Sequence, residues 1–269
     1  MKAGFGMNDL GLRFRHRLQL RLHNLLARSG IDGLRPVALR RDGDAFVLET
    51  TGHSMRVPSA LIWRSYRRGW AVRQARLAVE FGLGDPFAVG AGDTVIDIGA
   101  NVGDFAITAA EAGATVFAFD GDPQVFDCLR ANTAGHGAIH ADCAILWKEA
   151  GELTFYSAPD RADSSVFLPP GEAVTAFTAQ ATTLDALARK HAIGSVALLK
   201  MDAEGAEPEV LQGGQDVLAR TRHVAIDTGP ERNGQETGAA CAAILQDLGF
   251  AIVTPPGAAR KITMATRAD

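Results

Sequence analysis

Residues 93–107 read DTVIDIGANVGDFAI. Thr94 to Ile98 is an apolar run of strand length, Gly99 to Gly103 is a glycine-bounded turn, and from Asp104 the apolar spacing becomes helical. A buried strand that passes through a glycine turn into a helix is the building unit of parallel, helix-covered sheets. The unit recurs along the chain. TVFAFD (115–120) precedes PQVFDCLRANT (123–133), VALLKMD (196–202) precedes PEVLQGGQDVLA (208–219), and HVAID (223–227) precedes TGAACAAILQDLG (237–249). Short strands AIHADCA (138–144), ELTFYSA (152–158) and VTAFTA (174–179), with helix LDALARKHA (184–192), fill the interval. FAIVT (250–254) and KITMAT (261–266) are too close for a crossover helix, so they are expected to pair antiparallel. The prediction is an α/β body, 86–269, built on a mostly parallel sheet with helices on both faces.

Upstream the rhythm differs. Leu10, Phe14, Leu18, Leu22, Leu25 and Leu26 recur at helical spacing beside Arg13, Arg17, Arg21 and Arg28, which describes a basic amphipathic helix. Residues 36–58 read as three short antiparallel strands separated by DGD and TGHS turns. A second helical stretch carries Trp63, Tyr66, Trp70, Leu77 and Phe81 among five arginines and ends at Gly82–Pro86, the expected boundary. Residues 1–85 hold 15 Lys and Arg against 7 Asp and Glu, whereas the remainder holds 12 against 24. A small basic α+β extension, 1–85, therefore precedes an acidic body, and the two parts are expected to do different jobs.

Composition excludes several classes. With 47% hydrophobic residues in 269, the chain can bury a substantial core, which argues against disorder. No apolar run reaches the length of a membrane span, and the N-terminus has no continuous apolar segment of the secretory kind. Its apolar residues look structural rather than targeting. Three scattered cysteines suit neither a disulfide framework nor a zinc site, so a reducing, cytoplasmic setting is expected.

The turn after the first body strand carries the chemistry. Ligands of open α/β sheets bind at the carboxyl ends of strands near the switch in strand order. Gly99 and Gly103 allow the backbone to approach a ligand closely. Asn101 stands where the dinucleotide fingerprint requires a second glycine, and no Gly-Lys-Ser/Thr follows, so neither a pyrophosphate nor a phosphate loop is matched. Asp97 just ahead of the glycines would repel a diphosphate and suit a cationic ligand such as a sulfonium. Asp120, ending the second strand, can accept both hydroxyls of a ribose. Asp142, after the third strand, stands where an adenine amino group would find an acceptor, with Cys143 as a small wall residue of that pocket.

These motifs together resemble the FkbM-type methyltransferases. The likeness covers roughly residues 92–254 and rests on DTVIDIGANVGDFAI, FAFDGDP, Ser164-Ser165, TTLDAL and LLKMDAEGAEPEVLQGG in that order. It implies a class I, Rossmann-like fold with a seven-stranded sheet whose last strand is reversed. It also implies S-adenosylmethionine as methyl donor, and a hydroxyl oxygen of a sugar, glycan or natural product as acceptor. Two departures stand out. The acid ending the second strand is usually Glu and is Asp120 here, and the usual Glu-x-His ending of the fifth strand is replaced by Asp227-Thr228-Gly229.

Transfer to a hydroxyl needs a base within hydrogen-bond reach. Strand VALLKMD and its turn deliver Lys200, Asp202, Glu204 and Glu207. Asp202 or Glu204 is the expected base or acceptor-orienting group, with Lys200 tuning the local charge; a purely structural network is the competing reading. A Mg²⁺ ion held by Asp202, Asp227 and Glu204 is the alternative and is not the favoured reading. The segment 158–173, with Asp160, Arg161, Asp163, Pro169 and Pro170, is expected to form a lid or acceptor wall. The extension is expected to cap the acceptor site, its arginines facing an anionic acceptor or carrier, or a membrane surface. A nucleic-acid acceptor gripped by the basic extension is one rival. A nucleoside-binding protein without catalysis, or a nicotinamide enzyme, is the other.

Overall fold

The computed structural model describes Leu12 and residues 14–160, 163–169, 174–253 and 261–268. Leu10, Arg13, Arg161 and Pro170 lie outside the described residues. The extension begins with helix α1 (Phe14–Arg28) and a three-stranded antiparallel sheet, β1 (Ala38–Asp42), β2 (Ala45–Thr50) and β3 (His53–Val57). A 3-10 turn, Ala60–Tyr66, then leads through Gly69 into helix α2 (Trp70–Glu80). The continuous helix suggested by the aromatic spacing is thus broken at Gly69, which sits at φ 88. Trp63, Tyr66 and Trp70 are all buried, so the aromatics among the arginines are core side chains.

The body alternates strand and helix as its sequence predicts: β4 (Thr94–Ile98), α3 (Asp104–Glu111), β5 (Thr115–Asp120), α4 (Pro123–Thr133) and β6 (Ile139–Cys143). After strands β7 (Ile145–Leu146), β8 (Gly151–Ser157) and β9 (Thr175–Thr182) come α5 (Leu184–Lys190) and β10 (Val196–Met201). Two short helices, α6 (Glu207–Gln212) and α7 (Gln215–Leu218), follow, split by Gly213-Gly214. The chain ends with β11 (Thr221–Asp227), α8 (Gly238–Asp247), β12 (Phe250–Val253) and β13 (Ile262–Arg267).

Seven strands form the main sheet in the order β12-β13-β11-β10-β4-β5-β6, with β13 antiparallel to both neighbours. This is the class I arrangement that the resemblance implies. Strands β7, β9 and β8 form a separate three-stranded sheet. The chain winds outward from β4 to β6 and then returns to place β10 on the other side of β4. The order therefore switches between β4 and β10, where open sheets bind ligands.

Alternation along each strand sends side chains to both faces. Ile96, Leu199 and Val224 pack under α5 to α8, while Val95, Leu198 and Ala225 pack under α2, α3 and α4. Each such fully buried Val, Leu or Ile side chain stabilises by about 1.5–3 kcal/mol. Leu77 and Phe81 of α2 join Phe105 of α3 in this second layer, so α2 covers the body's sheet although it precedes Gly82–Pro86. A further cluster joins Leu48, Met55 and Tyr66 of the extension to Val102, Ile107 and Cys128 of the body. Among the described residues, no helix is long and apolar enough to cross a membrane.

Candidate functional site

The site grows from the register of the two central strands. Lys200 lies opposite Asp97 across the β10–β4 ladder, which puts both side chains on one face. Lys200 Nζ reaches Asp97 Oδ1 at 2.9 Å, and both side chains are nearly fully buried. The ammonium also donates to the carbonyls of Gly99 (2.8 Å) and Ile98 (3.3 Å). It stands 5.2 Å from the ring centre of Phe81, at the end of α2. Burial holds the Asp97 carboxyl above the usual range even with this ammonium beside it.

The loop above the pair is pressed against the end of β10. Asp202 N donates to Ile98 O at 3.0 Å. Gly99 sits at φ +66, and a Cβ there would lie 1.8 Å from the Asp202 carbonyl oxygen. Its glycine therefore serves contact between loop and turn. Gly103, at φ +97, starts α3 in the left-handed conformation and faces Leu129 and Thr133 of α4.

Asp120 ends β5 beside this loop. Its two oxygens accept from the backbone amides of Asn101 (2.9 Å) and Asp122 (3.0 Å). Burial pushes its carboxyl up to about 7, against the pull of those two bonds. Asp120 lines a narrow cleft of about 80 Å³ whose apolar wall includes Ile145, Leu146 and Phe155. The narrow cleft meets a larger one of about 750 Å³, the two sharing Gly99, Asn101, Asp202 and Glu204. Arg15, Arg64, Arg73 and Arg76 of the extension form part of the larger cleft's wall, and Lys200, Asp160 and Asp163 stand elsewhere on it.

The turn that carries Asp202 and Glu204 is held on three sides. Glu207 Oε1 accepts from the amides of Ala203 (3.2 Å) and Gly205 (2.8 Å), while its Oε2 accepts from Thr237 Oγ1 (2.9 Å). Glu207 is wholly buried, and that burial pushes its carboxyl up to about 7. Arg232 Nε donates to Gly205 O at 2.8 Å, and its guanidinium pairs with Glu209. Ser165 Oγ donates to Glu204 O at 2.7 Å. Glu204 itself takes φ 52, a conformation that non-glycine residues adopt only when the surroundings impose it.

The serine pair bridges the cleft. Ser164 Oγ donates to Asp122 Oδ2 at 2.7 Å, and Asp122 caps α4 through its other oxygen by accepting from Gln124 N (2.9 Å). Adjacent serines thus tie the segment 163–169 to the loop after β5 and to the turn after β10.

Of the residues singled out in the sequence, Gly99, Asn101, Asp120, Asp202 and Glu204 come together around the narrow cleft, and Lys200 borders the larger one. Asp97 lies beneath the loop, wholly buried against Lys200, and lines neither cleft. Asp142 and Cys143 line a separate depression. There Asp142 pairs with Lys190 and stands 2.9 Å from His191 Nε2. Carboxylate oxygens of Asp202, Asp227 and Glu231 lie within 4.8 Å of one another, so the structure has Glu231 where the sequence suggested Glu204 as third acid. Glu231, Arg232 and the bridging role of Ser165 were missed. The first two follow Asp227 in the loop after β11, a strand end on the same rim as Asp202.

The extension is fastened directly to the glycine loop's helix. Asp104, first residue of α3 and buried, accepts from Tyr66 Oη at Oδ1 (2.5 Å) and from Arg73 Nε at Oδ2 (2.6 Å). Burial and the Asp104 charge raise the Tyr66 phenol well above its ordinary pKa, so it stays a donor.

A family model described as the methyltransferase FkbM domain matches residues 97–252. The 31-O-demethyl-FK506 methyltransferase FkbM of Streptomyces tacrolimicus is 32% identical over 171 residues, 51% of this chain and 65% of that protein. The ribosomal RNA small subunit methyltransferase A of Corynebacterium jeikeium is 37% identical over 81 residues, 30% of this chain and 25% of that one. The hexuronic acid methyltransferase AglP of Haloferax volcanii is 27% identical over 136 residues, 50% of this chain and 55% of that one. The chain thus spans less than two thirds of the length of each of these relatives.

Proposed function

The chain belongs to the FkbM methyltransferase family, and on that premise we propose that it is an S-adenosylmethionine-dependent O-methyltransferase acting on a hydroxyl of a sugar, glycan or natural product. The observation that carries this reading is the meeting of the two clefts at Gly99, Asn101, Asp202 and Glu204. One cleft suits a nucleoside and the other an acceptor, with two carboxylates at the junction.

The residues present fit the donor. Each oxygen of Asp120 accepts one backbone amide and keeps a lone pair for a ribose hydroxyl. Ile145, Leu146 and Phe155 offer an apolar wall to a base. The narrow cleft alone is too small for the whole molecule, and its opening into the larger one provides the remaining room. S-adenosylmethionine, when bound, supplies an activated methyl group. The chain's own part is to orient the acceptor hydroxyl and to take its proton on Asp202 or Glu204 as the oxygen gains the methyl. Lys200 acts one step back, holding the carbonyl of Gly99 and so the shape of the loop.

The larger cleft is lined by Arg15 and Arg64, by Arg73 and Arg76 in their pairs with Asp104 and Glu80, and by Asp160, Asp163, Asp202 and Glu204. An acceptor with an anionic group toward the cap and a hydroxyl toward the body matches it. The names of two relatives, one for 31-O-demethyl-FK506 and one for hexuronic acid, support a hydroxyl-bearing acceptor. A nucleic-acid acceptor is opposed by the same four carboxylates, which would repel phosphates beside the reacting atom.

The test is methyl transfer from S-adenosylmethionine to a panel of neutral and uronic-acid glycosides, with the Asp202→Asn and Glu204→Gln variants alongside. Loss of the base should lower kcat by about 10²–10⁴ while donor affinity stays within a small factor. A rate abolished by EDTA and restored by Mg²⁺ would make Asp202 a metal ligand instead. Full kcat in both variants would remove these carboxylates from the chemistry, and the absence of a thermal shift with S-adenosylmethionine would refute the donor assignment.

A further inference from the structure

Helix α1 is bolted down on one side and bare on the other. Leu20 and His23 are buried against the extension, and His23 Nε2 contacts Arg35 O at 2.9 Å. Asn24 makes two hydrogen bonds of 2.8 Å with the backbone of Val37, donating to its carbonyl and accepting from its amide. On the far side, Phe14, Leu18, Leu22 and Leu25 are 74%, 55%, 53% and 66% exposed. Their spacing stacks them into one stripe, which at 1.5 Å per residue is about 17 Å long. Exposed side chains of this size, aligned on one helix, mark a surface that something covers.

The charges flanking the stripe identify the covering surface. The helix reads FRHRLQLRLHNLLAR and contains no Asp or Glu. At about 100° per residue, Arg17, Arg21 and Arg28 fall along one edge of the stripe and Arg15 along the other. An apolar strip with cationic margins complements a surface that is apolar within and negative at its boundary. We infer that α1 lies in the headgroup boundary of an anionic lipid bilayer, with the leucine stripe toward the acyl chains and the arginines among the phosphates. A second copy seated stripe to stripe would set arginine margin against arginine margin, which Coulomb repulsion opposes. Because Arg15 and His16 also line the larger cleft, this seating puts the rim of that cleft at headgroup level.

The experiment is co-sedimentation of the full chain at low salt with vesicles of phosphatidylcholine, or of phosphatidylcholine and phosphatidylglycerol in equal parts. The protein should pellet with the anionic vesicles and remain in solution with the neutral ones, and added salt should release it. Leu18→Glu/Leu25→Glu should lower vesicle binding at least tenfold per leucine. Arg21→Gln and Arg28→Gln should each weaken it about fivefold. All four side chains are exposed, so the melting temperature and its shift with S-adenosylmethionine should not change, which separates lost docking from lost fold. No binding to anionic vesicles overturns the proposal, as does undiminished binding by the double glutamate variant. A dimer that this variant splits, in a protein that ignores vesicles, overturns it in favour of a second copy.

Discussion

Replacing Lys200 by Met tests whether the buried pair organises the site. Lys200 and Asp97 face each other with side chains only 4% and 0% exposed, so removing the ammonium leaves a carboxylate in a medium that cannot solvate it. Breaking a buried pair from one side costs about 3–5 kcal/mol. The carbonyl of Gly99 also loses the ammonium as donor, while that of Ile98 keeps the Asp202 amide, which favours the upper part of that range. A chain of 269 residues loses about 2 °C per kcal/mol, so Lys200→Met should melt about 8–10 °C lower. Asp97→Asn/Lys200→Met removes the stranded charge and should regain at least about 1.5 kcal/mol over the sum of the single changes. Thermal and urea unfolding of the four proteins measures this coupling. Single costs that simply add would refute the pair as an energetic unit. In the same samples the shift with S-adenosylmethionine should shrink in Lys200→Met, because the carbonyl of Gly99 is no longer held.

Gly99→Ala should cost about 3 kcal/mol or more and erase the S-adenosylmethionine shift, since its methyl meets the Asp202 carbonyl at 1.8 Å from a positive φ; a near-normal melt would contradict the close packing. With its carboxyl pushed up to about 7, Asp120 should make donor affinity rise with pH by up to about tenfold per unit below 7 and level off above. Asp120→Asn should flatten that curve, and calorimetric titration across pH decides. The unliganded chain should show the opposite sign. Raised carboxyl pKa values at Asp120 and Glu207 mean that stability falls as pH climbs from the ordinary carboxylate range toward 7, which urea midpoints at a series of pH values would reveal. Tyr66→Phe strips one donor from buried Asp104 and should cost about 1–3 kcal/mol, read as a lower melting temperature.

Strand–helix alternation made the body readable because the central strands β4, β5 and β10 are largely apolar runs that give way to helical spacing after their turns. The three strands of the extension were equally plain from their turns. Position within the sheet was harder to read. Nothing local in VALLKMD says that Lys200 stands opposite Asp97 and not beside Asp202; that follows from the register of two strands a hundred residues apart. Asp142 shows the same difficulty, since its charge partners come from the end of α5. The assignment of α2 was hidden by its arginines, which sit on the cleft side while Leu77 and Phe81 enter the body's core. Glu231 and Arg232 went unnoticed because a loop residue without a spacing pattern gains meaning only from what it reaches.

The grip of Tyr66 and Arg73 on Asp104 joins the extension to the first residue after the glycine loop. Two ligands seated on opposite sides of such a joint are thermodynamically linked. Whatever factor an acceptor on the cap wall adds to the affinity of the loop for its nucleoside, the nucleoside must return to the acceptor. Cutting the joint at Asp104 should bring that factor toward one and make the two occupancies independent of order.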